Sequence, residues 1–239
     1  MRLKPESDLI TEKESTAVLA INVGQPRPLP GQKHEVLSGI MKHPVSTPVF
    51  LSFTGMSGDA QADLVHHGGP DKAVCVYDYS RYAVLERLMN RKLNWGAFGE
   101  NLTVTGCAEE EVRIGDIFQL GDAQMQVSQP RQPCFKLGAR YDYKELPVYF
   151  QESGHTGFYF RVLQEGQVAL GSQFRKIHTD PSSMTVLEAN RIMHQGKQNV
   201  EGIQMLLALP ALSESWRQTL LKRLNKLGSN GDSSPQVGI

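Results

Sequence analysis

Residues 123–134 read AQMQVSQPRQPC, a strand pattern that runs into a proline-bounded segment. Apolar and polar residues alternate over its first five positions, which is typical of a half-buried strand. Pro130 and Pro133 cannot donate to a ladder, so we expect the strand to stop here. Arg131 and Cys134 are then presented from a stiff, non-repetitive segment at the end of a strand.

Cys134 is a candidate reactive thiol because a cation lies three residues before it. A nearby positive charge favours the thiolate, which is both the nucleophile and the metal ligand. The alternative is a small buried residue without chemistry, since cysteine is among the most buried residue types. Of the other two cysteines, Cys75 lies in a short apolar run and is expected in the core, and Cys107 is expected in a loop.

The spacing of the three cysteines and the charge balance exclude several classes of protein. The chain holds no CxxC pair, which argues against a structural zinc site and a disulfide framework and fits a reducing cytoplasm. Among 239 residues, 25 Lys and Arg balance 25 Asp and Glu, so nothing attracts the chain to nucleic acid or an anionic membrane. No apolar run approaches the roughly 20 residues of a membrane helix, and the charged start is not a signal peptide. We therefore expect a cytoplasmic protein that binds neither nucleic acid nor membrane.

The order of strand and helix patterns predicts a mainly β, α+β chain with a helical end. Short strand patterns separated by turn signals, typical of barrels and sandwiches, fill residues 17–180. An N-terminal extension over residues 1–16 precedes this body. Three capped amphipathic helices follow in a module over residues 181–228, which we expect to be separable, with Gly228 ending the third helix. Residues 229–239 are expected to form a disordered tail.

Two glycines inside residues 63–72, DLVHHGGPDK, suggest a place where a ligand meets the backbone. Gly68 and Gly69 permit positive φ, and the N–H groups of such a turn form an anion-binding concavity. Lys72 adds a positive charge. Of the two adjacent histidines at most one faces a given site, because neighbouring side chains of an extended chain point apart, and His67 is our candidate. The alternative is an ordinary surface turn.

A second candidate pair of polar residues stands directly before a strand pattern. Glu100 and Asn101 lie in FGENL at residues 98–102 and carry short-reach polar groups. The alternative is a turn entering the strand, with Asn101 bonding to its own backbone.

Five motifs in this order and spacing resemble the MOSC domain, named for the C-terminus of molybdenum cofactor sulfurases. Specifically, the chain resembles the YiiM type, in which a three-helix module follows the MOSC domain. The motifs are DLVHHGGPDK at 63–72, FGENL at 98–102, IGD at 114–116, PRQPC at 130–134 and GFYFRV at 157–162. The resemblance runs from about residue 18 to the end of the third helix.

The resemblance implies a barrel-like β body with a pocket for molybdenum cofactor, a metal bound to the dithiolene of molybdopterin, which ends in a phosphate. It implies that Cys134 is the catalytic residue and gives its thiolate to the metal. The residues expected to hold the cofactor are Arg131, His67, Gly68, Gly69, Lys72, Glu100 and Asn101. The implied activity is the reduction, and so the detoxification, of N-hydroxylated compounds such as N-hydroxylated nucleobases. The implied electron donor is a separate flavoprotein reductase.

Two other functions stay open on the residues alone. In the first, Cys134 carries a persulfide as a sulfur carrier or transferase, with no bound metal. In the second, the β body is a scaffold for a binding module, and the stripe of Trp216, Leu220, Leu224 and Leu227 on the last helix faces a partner. Such a stripe is more commonly part of a core.

Overall fold

The structure is a computed structural model that describes residues 16–231, apart from residues 33 and 65–66. Residues 1–15 of the expected extension and residues 232–239 of the expected tail lie outside the described residues. The described part forms a curled half-barrel sheet of eight strands together with six helices, which confirms the expected β-rich body and helical end.

Thirteen strands are found among the described residues, and eight of them form the main sheet. They are β1 Ala17–Val23, β2 Arg27–Pro28, β3 Leu37–Ser38, β4 His43–Val45, β5 Val49–Ser52, β6 Gly55–Met56, β7 Val74–Asp78, β8 Leu102–Thr105, β9 Ile117–Leu120, β10 Ala123–Pro130, β11 Phe158–Gln164, β12 Gly166–Val168 and β13 Phe174–His178. The main sheet has the order β13-β9-β10-β11-β7-β8-β1-β4, and its pairs are antiparallel except for β7 and β8. Two small sheets, β12-β5-β6 and β2-β3, complete the β structure.

The six described helices fall into two groups. They are α1 Tyr82–Met89, α2 Phe135–Tyr141, α3 Leu146–Ser153, α4 Val186–His194, α5 Val200–Ala208 and α6 Glu214–Gly231. The first three lie between strands of the body, and the last three follow β13. Within the described part of the chain, no helix combines the length and the apolar character that crossing a membrane requires.

Strand β10 carries the opening sequence pattern into the middle of the sheet. Ala123, Met125 and Val127 are fully buried while the glutamines between them are half-buried, which confirms the expected alternation. The strand ends at Pro130 as expected, although Pro130 itself still pairs with Phe158 of β11. On the other side of β10, the pairing with β9 ends at Gln126. The missing N–H of Pro130 therefore removes no hydrogen bond to β9.

The caps of the three C-terminal helices follow local sequence signals. The Thr185 hydroxyl accepts from the Glu188 N–H at 3.1 Å and the Glu188 carboxylate accepts from the Thr185 N–H at 2.8 Å, a reciprocal capping box. Ser213 caps α6 through the Trp216 N–H at 3.3 Å, as expected. Before α1, the Asp78 carboxylate caps the 3₁₀ turn Tyr79–Arg81 by accepting from the N–H of residue 80 at 2.8 Å, and α1 itself has no side-chain cap.

Helix α6 is longer than the sequence pattern indicates. It continues through Gly228 to Gly231, although Gly228 was expected to end it. A glycine inside a helix costs only about 1 kcal/mol relative to alanine. Leu224 and Leu227 pack against the core in the turns before this point, and that packing is enough to carry the helix past the glycine.

The three C-terminal helices and the sheet share one hydrophobic core. Trp216 and Leu220 of α6 are fully buried in the same cluster as Phe118 of β9 and Phe160 of β11. The stripe on α6 therefore faces the core, and the hypothesis that it faces a partner is wrong. The boundary at residue 180 stays a prediction. In the described structure, the C-terminal helices have no hydrophobic core of their own apart from the one they share with the sheet.

A second, aromatic cluster supports the loops on the other side of β7. The rings of Tyr77 and Phe98 lie 4.9 Å apart, and Phe98 lies 5.3 Å from Phe150 of α3. Leu137 of α2 and Leu146 of α3 are buried in the same cluster. Packing against β7 thus fixes the turn around Phe98 and the two helices that follow Cys134.

Candidate functional site

Cys134 lies at the junction of a narrow inner cavity and a wider outer groove. It is the N-cap residue of α2, directly after the β10 segment that holds Arg131, and its thiol makes no capping hydrogen bond. The inner cavity has a volume of about 70 Å³ and the outer groove about 560 Å³, and Cys134 lines both. The thiol is therefore accessible from both spaces.

The other two cysteines are buried, and the structure describes all three. Cys75 of β7 is 5% exposed and lines the inner cavity, whereas Cys107 is 1% exposed and belongs to the main core. Cys107 lies in a loop after β8, as expected, but it is buried there, and the Cys107 N–H donates to the buried Asp78 carboxylate at 2.7 Å. Burial raises the pKa of both thiols, which keeps them protonated. Cys134 alone is partly exposed.

Arg131 presents an unsatisfied cation beside the thiol. Its side chain is buried, with the residue 7% exposed, and its Nη2 donates to the Phe98 carbonyl at 2.5 Å. Its Nη1 is buried and has no hydrogen-bond partner among the described residues. A buried guanidinium nitrogen without a partner costs free energy, and an anion in the cavity would supply that partner.

The inner cavity is lined by more cations than carboxylates. Its lining residues are Ser38, Gly39, Ile40, Lys42, Gln61, Ala62, Asp63, His67, Lys72, Cys75, Gly99, Asn101, Arg131, Cys134, Lys136 and Tyr159. Lys42 pairs with the buried Asp59 carboxylate, so its charge is already compensated. Burial lowers the pKa of Lys72, while Asp71 and Asp63 raise it. The excess of positive charge suits an anionic ligand.

His67 lines both cavities but carries no charge at neutral pH. Burial and then the cations Lys136 and Arg131 lower the pKa of the imidazole to about 4. The side chain is therefore a neutral hydrogen-bonding group at pH 7. The other histidine of the motif, His66, lies outside the described residues.

Lys72 lines the inner cavity, whereas Gly68 and Gly69 do not. Gly69 has φ of 94° and precedes a 3₁₀ turn at Pro70–Lys72, with the Lys72 N–H donating to the Gly69 carbonyl at 3.0 Å. A Cβ on Gly68 would approach the Leu64 Cα to 2.9 Å. Neither glycine is among the lining residues. The small size of Gly68 and the positive φ of Gly69 shape the turn that carries Lys72.

Glu100 does not line the cavity, because its carboxylate is bound within the protein. It is fully buried and accepts from the N–H groups of Gly96 and Phe98, both at 2.9 Å. The hydroxyls of Thr103, at 3.1 Å, and Tyr82 also donate to it. Glu100 thus holds the turn whose Phe98 carbonyl receives Arg131, and its role toward the site is indirect.

Asn101 lines the cavity, yet its amide is used to join strands. Its Oδ1 accepts from the Cys75 N–H at 3.0 Å, and its Nδ2 donates to the Asp59 carboxylate at 2.9 Å and the Asn22 carbonyl at 3.3 Å. The expected alternative, a bond to its own backbone, is not what the structure shows. Asn101 fixes the cavity wall and has no free donor for a ligand.

Several lining residues were not singled out in the sequence. Asp63 and Tyr159 lie inside two of the quoted motifs, and Lys136 lies two residues after a third, so a residue-by-residue reading of those motifs would have found them. Burial raises the pKa of Tyr159, with Cys75 adding to the effect. Lys42 lay in a stretch without a clear pattern, and nothing local pairs it with Asp59.

A second cluster of metal-ligating residues is satisfied by a cation of the chain. Glu109, Glu110 and His155 are the group among the described residues whose ligand atoms come close enough to hold a metal ion. Arg81 bonds to both carboxylates, reaching Glu109 at 3.0 Å. This cluster is an ion-pair network away from Cys134.

Comparison with known proteins gives matches over both parts of the chain. Residues 63–175 match the family described as MOSC domain, and residues 184–227 match the YiiM-like, 3-alpha helix domain. The chain is 45% identical over 216 residues to the uncharacterized protein YflK of Bacillus subtilis, covering 90% of this chain and 98% of that protein. A protein of Gibberella moniliformis named "Reductase" is 36% identical over 163 residues, 66% of this chain and 29% of that protein.

A solved structure shows the same arrangement of sheet and helices. The crystal structure of YiiM from Geobacillus stearothermophilus is similar with a TM-score of 0.76 and 36% sequence identity. The match covers 88% of this chain and all of that chain, 100%.

Proposed function

The chain belongs to the YiiM-type MOSC-domain proteins, and we propose that it is a molybdenum-cofactor-dependent reductase of N-hydroxylated compounds, such as N-hydroxylated nucleobases. The observation that carries the proposal is the pairing of the partly exposed Cys134 thiol with the unpartnered Nη1 of Arg131 in one cationic cavity. A flavoprotein reductase is the proposed electron donor. The likeness to a protein named "Reductase" supports the reaction class.

The residues present fit the cofactor. Cys134 offers a thiolate, the kind of anionic ligand that a high-valent metal requires. Arg131 and Lys72 offer the cations that a phosphate group binds. Asn101 and Cys75 form a rigid polar wall between them. When bound, the cofactor supplies the redox chemistry, and the protein positions and tunes it.

The chain's own side chains have separate tasks in such a reduction. Converting R–NH–OH to R–NH₂ takes two electrons and two protons and releases water. His67 is unprotonated at neutral pH because its pKa is about 4, so it orients and accepts hydrogen bonds. Lys136 lines both cavities beside Cys134, and we assign its ammonium group as the proton donor. Arg131 keeps its charge throughout and holds the anionic group.

The alternative function, a sulfur carrier, would use the same thiol for different chemistry. A persulfide on Cys134 would be passed to a partner and would need no cationic cavity behind it. Elemental analysis with pterin fluorescence, on protein made with molybdenum available, separates the two functions. Molybdenum and pterin at about one per chain support the reductase, and their absence with sulfane sulfur on Cys134 supports the carrier.

Cys134→Ser tests the role of the thiol directly. The change is small in volume and the neighbouring Pro133 fixes the backbone, so the variant should fold normally. Turnover of an N-hydroxylated purine with an added flavoprotein donor should be lost almost completely, since a serine hydroxyl is not appreciably ionised at neutral pH. Cys107→Ala is the control, because Cys107 is remote from the cavity. Near-native turnover in Cys134→Ser would refute the assignment.

A further inference from the structure

The outer groove beside Cys134 has two walls of different origin. One wall comes from the body and includes Phe135 and Lys136 of α2. The other wall comes from the C-terminal helices and is formed by His194 of α4 with Ser215 and Thr219 of α6. Among the described residues, none from these helices lines the inner cavity. The helices therefore meet only the part of the cleft that opens outward from the thiol.

The position of this second wall is fixed by the first turn of α6. The bonds are Ser213 N–H to the Ser128 carbonyl at 3.0 Å, Glu214 N–H to the Asp71 carboxylate at 2.9 Å, and the Ser215 hydroxyl to Gln129 Oε1 at 3.0 Å. Gln129 stands two residues before Arg131, and Asp71 directly precedes Lys72. The first turn of α6 is thus attached to the chain segments that carry Arg131 and Lys72, and these three hydrogen bonds fix its position beside Cys134.

The chemistry of the outer groove differs from that of the inner cavity. Burial lowers the pKa of His194, so its imidazole is neutral at pH 7, and its buried Nε2 has no hydrogen-bond partner among the described residues. Gln132 and Gln151 add amides, and the Phe135 ring is 59% exposed. The charged residues of the groove, Asp63, Lys72 and Lys136, are shared with the inner cavity, and the lining residues that belong to the groove alone are uncharged. This part of the groove, with amides and one aromatic face, suits an uncharged, planar, hydrogen-bonding molecule.

The size of the groove matches a small organic substrate. Its volume of about 560 Å³ lies within the roughly 300–1,000 Å³ of small-molecule sites. Thr219 is exposed on α6, and its hydroxyl donates to the Ser215 carbonyl at 2.9 Å, so it presents its methyl group and little free polarity. A bulky side chain at this position would narrow the groove without touching the inner cavity.

We propose that α4 and α6 form the specificity wall of the substrate site, and that Thr219 sets the size of the substrate that reaches Cys134. His194 recognises the polar edge of that substrate. The substrate class in this inference rests on the proposed reductase function. The geometry of the wall does not depend on that function.

The first experiment compares Thr219→Trp with Leu221→Trp in the full-length, cofactor-loaded protein. Leu221 is 44% exposed on the same helix and does not line the groove, so it is a matched control. In Thr219→Trp, KM for an N-hydroxylated purine should rise about tenfold or more. Turnover of hydroxylamine itself and the molybdenum content should stay native. An equal loss for both substrates, or no loss for either, would overturn the inference.

A binding measurement keeps the inference testable if the native protein reduces neither substrate. Adenine is titrated calorimetrically into the same three proteins, and no turnover is required. Native protein and Leu221→Trp should bind it, and Thr219→Trp should bind about tenfold more weakly. His194→Phe, which keeps a ring but removes both nitrogens, should also weaken binding. Failure of the native protein to bind adenine, or equal binding by Thr219→Trp, would overturn the specificity wall while leaving the cofactor assignment untouched.

Discussion

Replacing Glu100 by glutamine removes one of the two acceptor oxygens from a fully buried carboxylate. Oε1 accepts from Gly96, Tyr82 and Thr103, and Oε2 accepts from Phe98. The amide keeps most bonds if its NH₂ replaces Oε2, which leaves the Phe98 N–H unpaired at a cost of about 1–3 kcal/mol. The remaining bonds lose their charge assistance, partly offset because no buried charge must be desolvated. We expect a loss of about 2–4 kcal/mol in the free energy of unfolding.

Urea unfolding followed by circular dichroism measures this loss, and thermal melting should show a fall of about 5–15 °C for a chain of this size. Glu110→Gln is the control, because that side chain is 45% exposed and its pair with Arg81 contributes at most about 1 kcal/mol. Cofactor content should fall in Glu100→Gln only in proportion to unfolded protein. A variant that melts like the native chain but retains no cofactor would refute our reasoning and make Glu100 a direct ligand contact.

Three further predictions follow from the site and the core. Arg131→Lys keeps the charge but loses the planar fork, so calorimetric binding of inorganic phosphate should weaken by about ten- to a hundredfold; unchanged affinity would exclude Arg131 as the anion contact. Since the pKa of His67 is about 4 when folded and 6.5 when unfolded, the unfolded state binds more protons between these values. The free energy of unfolding of the cofactor-free protein should therefore fall as pH drops from 6.5 towards about 4, and His67→Gln should make that slope shallower; an equal slope in both proteins would contradict this. Deleting residues 181–239 removes Trp216 and Leu220 from the shared core, so the fragment should lack a cooperative melt by circular dichroism, and a sharp transition would show that the body folds alone.

The parts of the fold that the sequence predicted are those with local causes. The alternation in β10 and the Ser213 cap depend on residues a few positions apart. Helix α3 was missed, since its position depends on the burial of Leu146 and Phe150 against β7, far away in the chain. The signal that ends a helix also failed at Gly228, where packing outweighed propensity.

The sequence motifs predicted which residues belong to the site, but not what each of them does there. Cys134, Arg131, His67 and Lys72 do meet at one cavity. The task of Glu100 could not be read from FGENL, because its partner Tyr82 lies 18 residues earlier and becomes a neighbour only after folding. Resemblance to a family identifies which residues matter, whereas hydrogen-bond partners decide whether they touch a ligand or support those that do.

The shared core also determines at which stage of synthesis the protein can complete its folding. Domains usually fold as they leave the ribosome, starting from the N-terminus. Here the strand that leads to Cys134 shares its hydrophobic core with Trp216, which is synthesised more than eighty residues later. Apolar side chains of the sheet should therefore stay exposed to solvent until the last helix has left the ribosome. A nascent chain stalled after β13 should be a substrate for chaperones.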